Sequence, residues 1–181
     1  GFAAPWKGQF EGCAVSMPGR IDTKRGIAHT GGILSGFMWE QPFASLLEQS
    51  LGVPVVIAND GKCAAAADAW TGSLAGVDNG LVLVLGTGIG GGIILNGRVY
   101  MGSHSAAGEV SNLVTELGSM EGDDFRFEVI GKVAESPVWA GKASASGLIA
   151  AYAAEKQLPA HAPQPTGEEI FAAYAAGEPE A

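Results

Sequence analysis

The sequence predicts an α/β protein with mixed sheets flanked by helices, and three observations lead to this fold class. Apolar runs at residues 12–17 and 53–58, the second rich in β-branched residues, are each followed by a helical pattern, at 42–51 and 60–71. A glycine-rich series of short strands comes next, and two helical segments close the chain. Alternating strands and helices favour an α/β fold, and strands joined by short turns add antiparallel pairing to it.

Turn and capping residues mark the predicted ends of strands and helices in the first half of the sequence. The first strand stops at the turn dipeptide Pro18-Gly19, and Gly52 ends the first helix. Either Asn59 or Asp60 is a suitable N-cap for the second helix. Residues 20–36 are rich in turn formers, which predicts irregular backbone there.

The second half is predicted to begin with strands and to finish with helices. Asn96-Gly97 is a strong hairpin signal, and Thr166 and Glu169 have the spacing of a capping box. The polar stretch 72–80 is the expected hinge between two domains, residues 1–75 and 76–181. The predicted strands span 81–85, 90–95 and 98–101, and the predicted helices span 144–156 and 166–175.

Composition excludes several classes of partner. Of the 181 residues, 47% are hydrophobic and 16% charged, so a sizeable core is expected. The net charge of -9 and the lack of a basic stripe argue against nucleic acid, and the longest apolar runs are too short to cross a membrane. Cys13 and Cys63 have no metal-ligand spacing, and we expect two small buried side chains in a reducing, cytoplasmic setting.

The most informative stretch is LGTGIGGG at residues 85–92, which contains G-x-G-x-x-G. A dinucleotide motif must open a helix, whereas this one leads into a strand and hairpin, and no Lys follows to complete a Walker A loop. Two interpretations remain. The N–H groups and the Thr87 hydroxyl hold phosphates, or the glycines form a tight turn between core strands.

Two acidic residues are candidates for sugar chemistry. Asp60 lies where a strand ends and a helix begins, so its carboxylate can take a proton from an attacking hydroxyl or can simply cap the helix. Glu109 lies in a loop of small residues, where it can accept hydrogen bonds from sugar hydroxyls or face solvent. His104 is isolated and receives no catalytic role.

The stretches IANDGKCAA and LVLVLGTGIGGGIILNGRVYMGSHSAAGE, with GCAVSMPGRID upstream, resemble the ROK family of sugar kinases in order and spacing. The resemblance covers residues 10–112 closely and 143–151 loosely. It implies the central part of an actin-like (ribonuclease-H-like) fold that closes over ATP and a hexose. It also implies transfer of a phosphoryl group from ATP with Mg²⁺ to a glucose-like hexose, in a cytoplasmic homodimer.

The resemblance also assigns roles to residues. Asp60 falls on the general base, and Gly86, Thr87 and Gly88 fall on the loop that lines the ATP phosphates. Many members continue after the equivalent of Glu109 with Gly-His and a cysteine-rich zinc motif. Here Asn112 follows and no cysteine does, so structural zinc is not expected, and no residue of this sequence is assigned as a metal ligand. The sugar-binding positions are Asn59, Glu109, Gly32, Gly108 and Asn112.

The family's N-terminal Asp-x-Gly-Gly-Thr motif and its C-terminal adenosine segment do not occur in this sequence. The resemblance therefore implies that these 181 residues alone have little or no activity. Two other functions stay open: a sugar-responsive ROK transcriptional regulator, and a non-catalytic fragment that binds sugar.

Overall fold

The structure is a computed structural model, and it divides into two compact units. The first unit combines Gly1–Leu83 with Gly91–Gly108, and the second combines Val84–Gly90 with Glu109–Ala181. The predicted boundary between residues 75 and 76 stays a prediction. The structure describes residues 6, 8–29, 36, 39–113, 139–159 and 161–178.

A parallel strand pair forms the centre of the first unit. Strand β1 (Cys13–Met17) pairs with β4 (Val55–Asn59) from Cys13 opposite Val55 to Met17 opposite Asn59. Helix α1 (Phe43–Leu51) lies between them in sequence, because parallel neighbours need a crossover connection. A buried hydrophobic cluster in this unit comprises Met17, Ile21, Ala28, Ala44, Val55 and Ile57.

A short hairpin occupies the region predicted to be irregular. Strands β2 (Ile21–Asp22) and β3 (Ile27–Ala28) are antiparallel, and the Asp22 carboxylate accepts a hydrogen bond from the Arg25 N–H at 3.0 Å. Strands of two residues are too short to show a period of alternation. The sequence therefore gave no sign of this hairpin beyond its turn formers.

Helix α2 (Asp60–Thr71) follows β4 directly and has the predicted bounds, with Gly72 as its C-cap. A second sheet then has the order β5 (Gly80–Leu85), β6 (Ile89–Leu95) and β7 (Arg98–Tyr100). The predicted turn between β6 and β7 is confirmed: Asn96 and Gly97 have φ of 52° and 70°, as a two-residue hairpin turn requires. Since three residues separate β5 from β6, that pair is also a hairpin.

Three helices lie in the second unit. Helices α4 (Ala145–Glu155) and α5 (Gly167–Ala175) match the prediction, whereas α3 (Trp139–Ala143) was missed because five residues carry too little periodicity. The Lys156 ammonium binds the Glu178 carboxylate at 2.8 Å, which joins the end of α4 to the chain after α5. That ion pair lowers the pKa of Glu178.

The predicted capping box of α5 is confirmed. The Thr166 hydroxyl accepts the Glu169 N–H at 3.2 Å, and the Glu169 carboxylate accepts the Thr166 N–H at 2.7 Å. These hydrogen bonds favour the charged carboxylate, so the pKa of Glu169 lies below its ordinary value of 4.5.

Two further predictions can be compared with the structure. Cys13 and Cys63 are only half-buried, so the prediction that both lie inside the core is wrong in degree. Cys63 is on the side of α2 that lines a pocket, described below. In the described part of the chain, no helix combines the length and the apolar character that a bilayer crossing requires.

Candidate functional site

The first part of the site is the junction between β4 and α2. Asn59, the last residue of β4, is only 4% exposed. Its side-chain oxygen accepts the Lys62 N–H at 3.0 Å, and its amide nitrogen donates to the Gly19 carbonyl at 3.0 Å. Asn59 is therefore the N-cap, and its buried amide joins the start of α2 to the turn after β1.

Asp60 contrasts with its neighbour because its side chain is exposed. One carboxylate oxygen accepts the Gly61 N–H at 2.8 Å, which orients the group at the first residue of α2. The positive end of the helix dipole favours a negative charge at this position. An oriented, solvent-facing carboxylate at the carboxyl end of a parallel strand has the access that proton transfer from a bound hydroxyl needs.

Four glycines pack backbone against backbone beside this junction, and we call Gly61, Gly91, Gly92 and Gly108 the glycine junction. A methyl group on Gly61 would lie 2.6 Å from the Gly91 nitrogen, and one on Gly91 would lie 3.0 Å from the Gly108 carbonyl oxygen. A methyl group on Gly108, where φ is +78°, would lie 3.0 Å from the Gly92 Cα. Only glycine allows these approaches.

The glycine junction brings three separate motifs together within the first unit. Gly61 follows Asn59-Asp60, Gly91 and Gly92 belong to the glycine-rich stretch, and Gly108 belongs to the AAGE loop. The sequence showed each of these glycines, but their mutual contacts depend on strand pairing and helix packing. Asn59, Asp60 and Gly108 are thereby part of one packed region.

The turn at residues 86–88 lies in the second unit and has a different character. The Gly86 N–H donates to the Gly88 carbonyl at 2.9 Å, and Thr87 and Gly88 are exposed. Among the described residues, nothing lies within 4 Å of a methyl group built on Gly86 or Gly88, and neither has a positive φ. Neither space nor backbone geometry requires glycine at these two positions.

The same turn is attached to the start of α4. The Ala145 N–H donates to the Gly86 carbonyl at 2.9 Å, and the buried hydroxyl of Ser144 caps the helix by accepting the Gly147 N–H at 3.0 Å. Sequence reasoning recognised the helix but not this contact, because no local signal links residues 86 and 145. Exposed N–H groups beside a helix N-terminus form an environment suited to an anion.

The remaining predicted residues are distributed as follows. Glu109, half-buried, precedes a 3-10 turn over Val110–Asn112, in which the Ser111 hydroxyl donates to the Ile89 carbonyl. Glu109, Asn112 and the 86–88 turn belong to the second unit, and Gly32 lies outside the described residues. Across the described ranges, no group of three or more His, Cys, Asp or Glu side chains is arranged to hold a metal ion.

Comparison with known proteins gives a consistent set of relatives. The family model described as the ROK family matches residues 3–170. A β-glucoside kinase of Listeria monocytogenes is 40% identical over 105 residues, which are 58% of this chain and 35% of that protein. A glucokinase of Halalkalibacterium halodurans is 32% identical over 108 residues, which are 59% of this chain and 32% of that protein.

A solved structure extends the match to nearly the whole chain. A Listeria monocytogenes protein, described as a candidate N-acetylmannosamine kinase, overlays with a TM-score of 0.79 and 32% identity. The overlay covers 99% of this chain and 56% of that protein, so the chain spans about half of its length. The predicted actin-like α/β fold is confirmed.

Proposed function

The chain belongs to the ROK family, and from this premise we propose that it forms the central part of a kinase that transfers a phosphoryl group from ATP to a hexose hydroxyl. The observation that carries the proposal is the exposed Asp60 carboxylate, oriented by the Gly61 N–H at the carboxyl end of β4. The names of the curated relatives, which are sugar kinases, support the reaction class.

In the proposed reaction Asp60 is the general base. Its carboxylate accepts the proton of the hexose hydroxyl as the hydroxyl oxygen attacks the γ-phosphorus of ATP. The bond from that phosphorus to the bridging oxygen breaks in line, and ADP leaves. The positive end of the α2 dipole favours negative charge at this position, and the Gly61 N–H holds one oxygen of the Asp60 carboxylate in place.

The turn at residues 86–88 is the proposed phosphate site. The N–H groups of Thr87 and Gly88 and the Thr87 hydroxyl would donate to phosphate oxygens, and a side chain on Gly86 or Gly88 would occupy the space that the nucleotide needs. The N-terminus of α4 beside it favours negative charge. Mg²⁺ is expected to enter bound to the nucleotide, since this ion commonly takes only one or two protein carboxylates beside the substrate phosphates and water.

The hexose is proposed to contact both polar and glycine positions. Asn59 uses one N–H and one lone pair inside the fold, so its second N–H can still reach a sugar hydroxyl. Glu109 is the proposed bidentate acceptor, and Gly32, Gly108 and Asn112 complete the site. A glucose-like substrate, a homodimer, a cytoplasmic location and the absence of structural zinc remain parts of the proposal.

An ADP-release assay tests this function. The 181-residue chain is incubated with radiolabelled Mg-ATP and a panel of glucose, N-acetylglucosamine, N-acetylmannosamine and cellobiose, with Asp60→Asn as the control. We expect slow release that requires a sugar and is lost in the variant. Release that ignores the sugar, or that persists at an equal rate in Asp60→Asn, would contradict the proposal.

Calorimetry distinguishes the proposed kinase from a non-catalytic fragment that binds only sugar. Titrations with glucose and with ATP should both give binding heat if the chain contributes to both substrate sites. Heat with glucose alone would instead support a fragment that holds sugar and takes no part in nucleotide binding.

A further inference from the structure

A pocket of about 460 Å³ is lined by described residues that all belong to the first unit. The β2–β3 turn, helix α2, and β7 with the loop after it form its walls. None of the described residues assigned above to substrate or catalysis lines it. The lining residues are Asp22, Thr23, Lys24, Ala58, Lys62, Cys63, Ala66, Val99, Met101, Gly102, Ser103 and Ser105.

The positive charge in the pocket wall is unusual for this chain. Lys24 and Lys62 both line the pocket, although the chain has only 10 Lys and Arg against 19 Asp and Glu. Lys62 is 3% exposed, so most of its side chain lies inside the fold, which is rare for lysine. Among the described lining residues, two lysines stand against the one carboxylate of Asp22, and this excess of positive charge favours an anionic occupant.

A buried hydroxyl at the same pocket points to a ligand as well. Among the described residues, the Thr23 Oγ1 is buried and has no hydrogen-bond partner. An unsatisfied buried polar atom is costly, and an oxygen atom of a bound molecule would relieve that cost. Ser103 and Ser105 add two more hydroxyls to the same lining.

The other lining residues define the rest of the ligand. Ala58, Ala66, Val99 and Met101 offer apolar surface to a carbon skeleton, and the Asp22 carboxylate can accept hydrogen bonds from ligand hydroxyls. The volume lies in the range of small-molecule sites, about 300–1,000 Å³. A molecule with one anionic end and a hydroxylated body satisfies both the lysines and Asp22.

We propose that this pocket binds a small phosphomonoester on a polyol body, that is, a phosphorylated monosaccharide. Lys24, Lys62 and the Thr23 hydroxyl contact the phosphate, while Asp22 and the serines contact the hydroxylated body. The site is separate from the proposed hexose site at Asp60 and requires neither ATP nor catalysis.

Cys63 provides a direct readout because its thiol lies in the pocket wall. In a Cys13→Ser background, alkylation of Cys63 is timed with glucose 6-phosphate, inorganic phosphate or glucose present, and calorimetry gives the dissociation constants. We expect saturable protection by glucose 6-phosphate, weaker protection by inorganic phosphate and little by glucose. Equal protection by glucose and glucose 6-phosphate, or no binding of any phosphate probe by calorimetry, would overturn the proposal.

Variants that remove the charge of one lysine test whether the phosphate group binds at Lys24 and Lys62. Lys24→Gln and Lys62→Met should each raise the dissociation constant for glucose 6-phosphate about tenfold or more. Arg98→Gln is the matched control, since Arg98 is exposed in the same unit and does not line the pocket. Lys24 is exposed, so its variant is expected to fold even if Lys62→Met does not, and unchanged affinity in Lys24→Gln would exclude the site.

A Glu109→Gln variant, which alters the proposed bidentate acceptor of the hexose, keeps this test independent of the proposed kinase function. Binding of glucose 6-phosphate should be the same in this variant as in the original chain, whereas binding of glucose should weaken. Loss of glucose 6-phosphate binding would place the ligand at the proposed hexose site and contradict a separate pocket.

Discussion

Gly91 and Gly92 of the glycine junction belong to the same glycine-rich stretch as the turn at residues 86–88, yet the fold uses the two regions differently. At Gly91, a methyl group would meet the backbone oxygens of Val82 and Gly108 at 2.8 and 3.0 Å. At Gly88, nothing among the described residues lies within 4 Å of such a group. Glycine is thus required for packing in the first region and is structurally unnecessary in the second.

The same contrast divides Asn59 from Asp60. Asn59 is buried and both ends of its amide are bonded, whereas Asp60 faces solvent from the next position. A residue that the fold does not require at an exposed position is the better candidate for a ligand contact. The comparison thus separates residues that hold the site's backbone together from exposed residues whose side chains can contact a ligand.

The largest predicted effect is a loss of phosphoryl transfer when the exposed carboxylate of Asp60 is replaced. Asp60→Asn removes the proton acceptor and should lower kcat by about 10²–10⁴-fold, while the glucose dissociation constant changes little. Single-turnover phosphorylation and calorimetry measure the two quantities. A normal rate would show that Asp60 serves the fold alone.

One substitution made in both glycine regions tests the comparison directly. Gly91→Ala forces a methyl group against two backbone oxygens and should destabilise the chain by about 1–3 kcal/mol, as overpacking does. Gly88→Ala, the matched control, should leave the melting temperature unchanged or slightly higher and should weaken ATP binding. Thermal unfolding and ATP calorimetry of both variants provide the measurements, and equal destabilisation would remove the distinction.

Two substitutions of Asn59 separate the stability that comes from its N-cap bond from the stability that comes from its bond to the Gly19 carbonyl. Asn59→Ala removes the N-cap acceptor and the donor to the Gly19 carbonyl, and should cost about 2 kcal/mol. Asn59→Ser keeps an N-cap acceptor but is too short to donate to the Gly19 carbonyl, so urea unfolding should place it between the original chain and the alanine variant. If the two variants are equally unstable, the bond to Gly19 accounts for the whole effect.

A change far from both regions should affect stability alone. Thr166→Ala removes the N-cap hydroxyl of α5 and should cost about 1 kcal/mol. Phosphate-probe binding and phosphoryl transfer should keep their original values at temperatures where the variant is folded. Altered ligand binding would show that α5 influences the site.

The smallest expected effect depends on pH. Because the pKa of Glu169 is lowered by its bonds to Thr166, the charged form stabilises the fold above pH 4.5, and this contribution disappears as the pH falls through the lowered pKa. Glu169→Gln should therefore be less stable than the original chain at pH 7, with the difference shrinking in acid. Glu168→Gln, in the same first turn, is the control. Its difference in stability from the original chain should change less with pH than that of Glu169→Gln.

Local signals predicted much of the fold. The Asn96-Gly97 turn, the start of α2 and the capping box at Thr166 each depend on residues a few positions apart, so their patterns are visible in the sequence. The β2–β3 hairpin and α3 are too short to be periodic, and they were missed.

The site was predicted less completely because its contacts are distant in sequence. Nothing near Gly61 indicates that Gly91 packs against it, and nothing near Gly86 indicates a bond from residue 145. The sequence could not distinguish packing glycines from those of an open turn. The burial of Lys62 also had no signal, since lysine is normally exposed.

The bond from Asn59 to the Gly19 carbonyl joins positions 40 residues apart, so the cap of α2 is complete only when β1 and β4 have paired. The Lys62 amide donates to the Asn59 oxygen in the first turn of α2, and the bond to Gly19 holds that side chain in place by tertiary structure. Its deuterium uptake should require cooperative opening of the first unit, whereas amides near Thr71 exchange through fraying of the helix end.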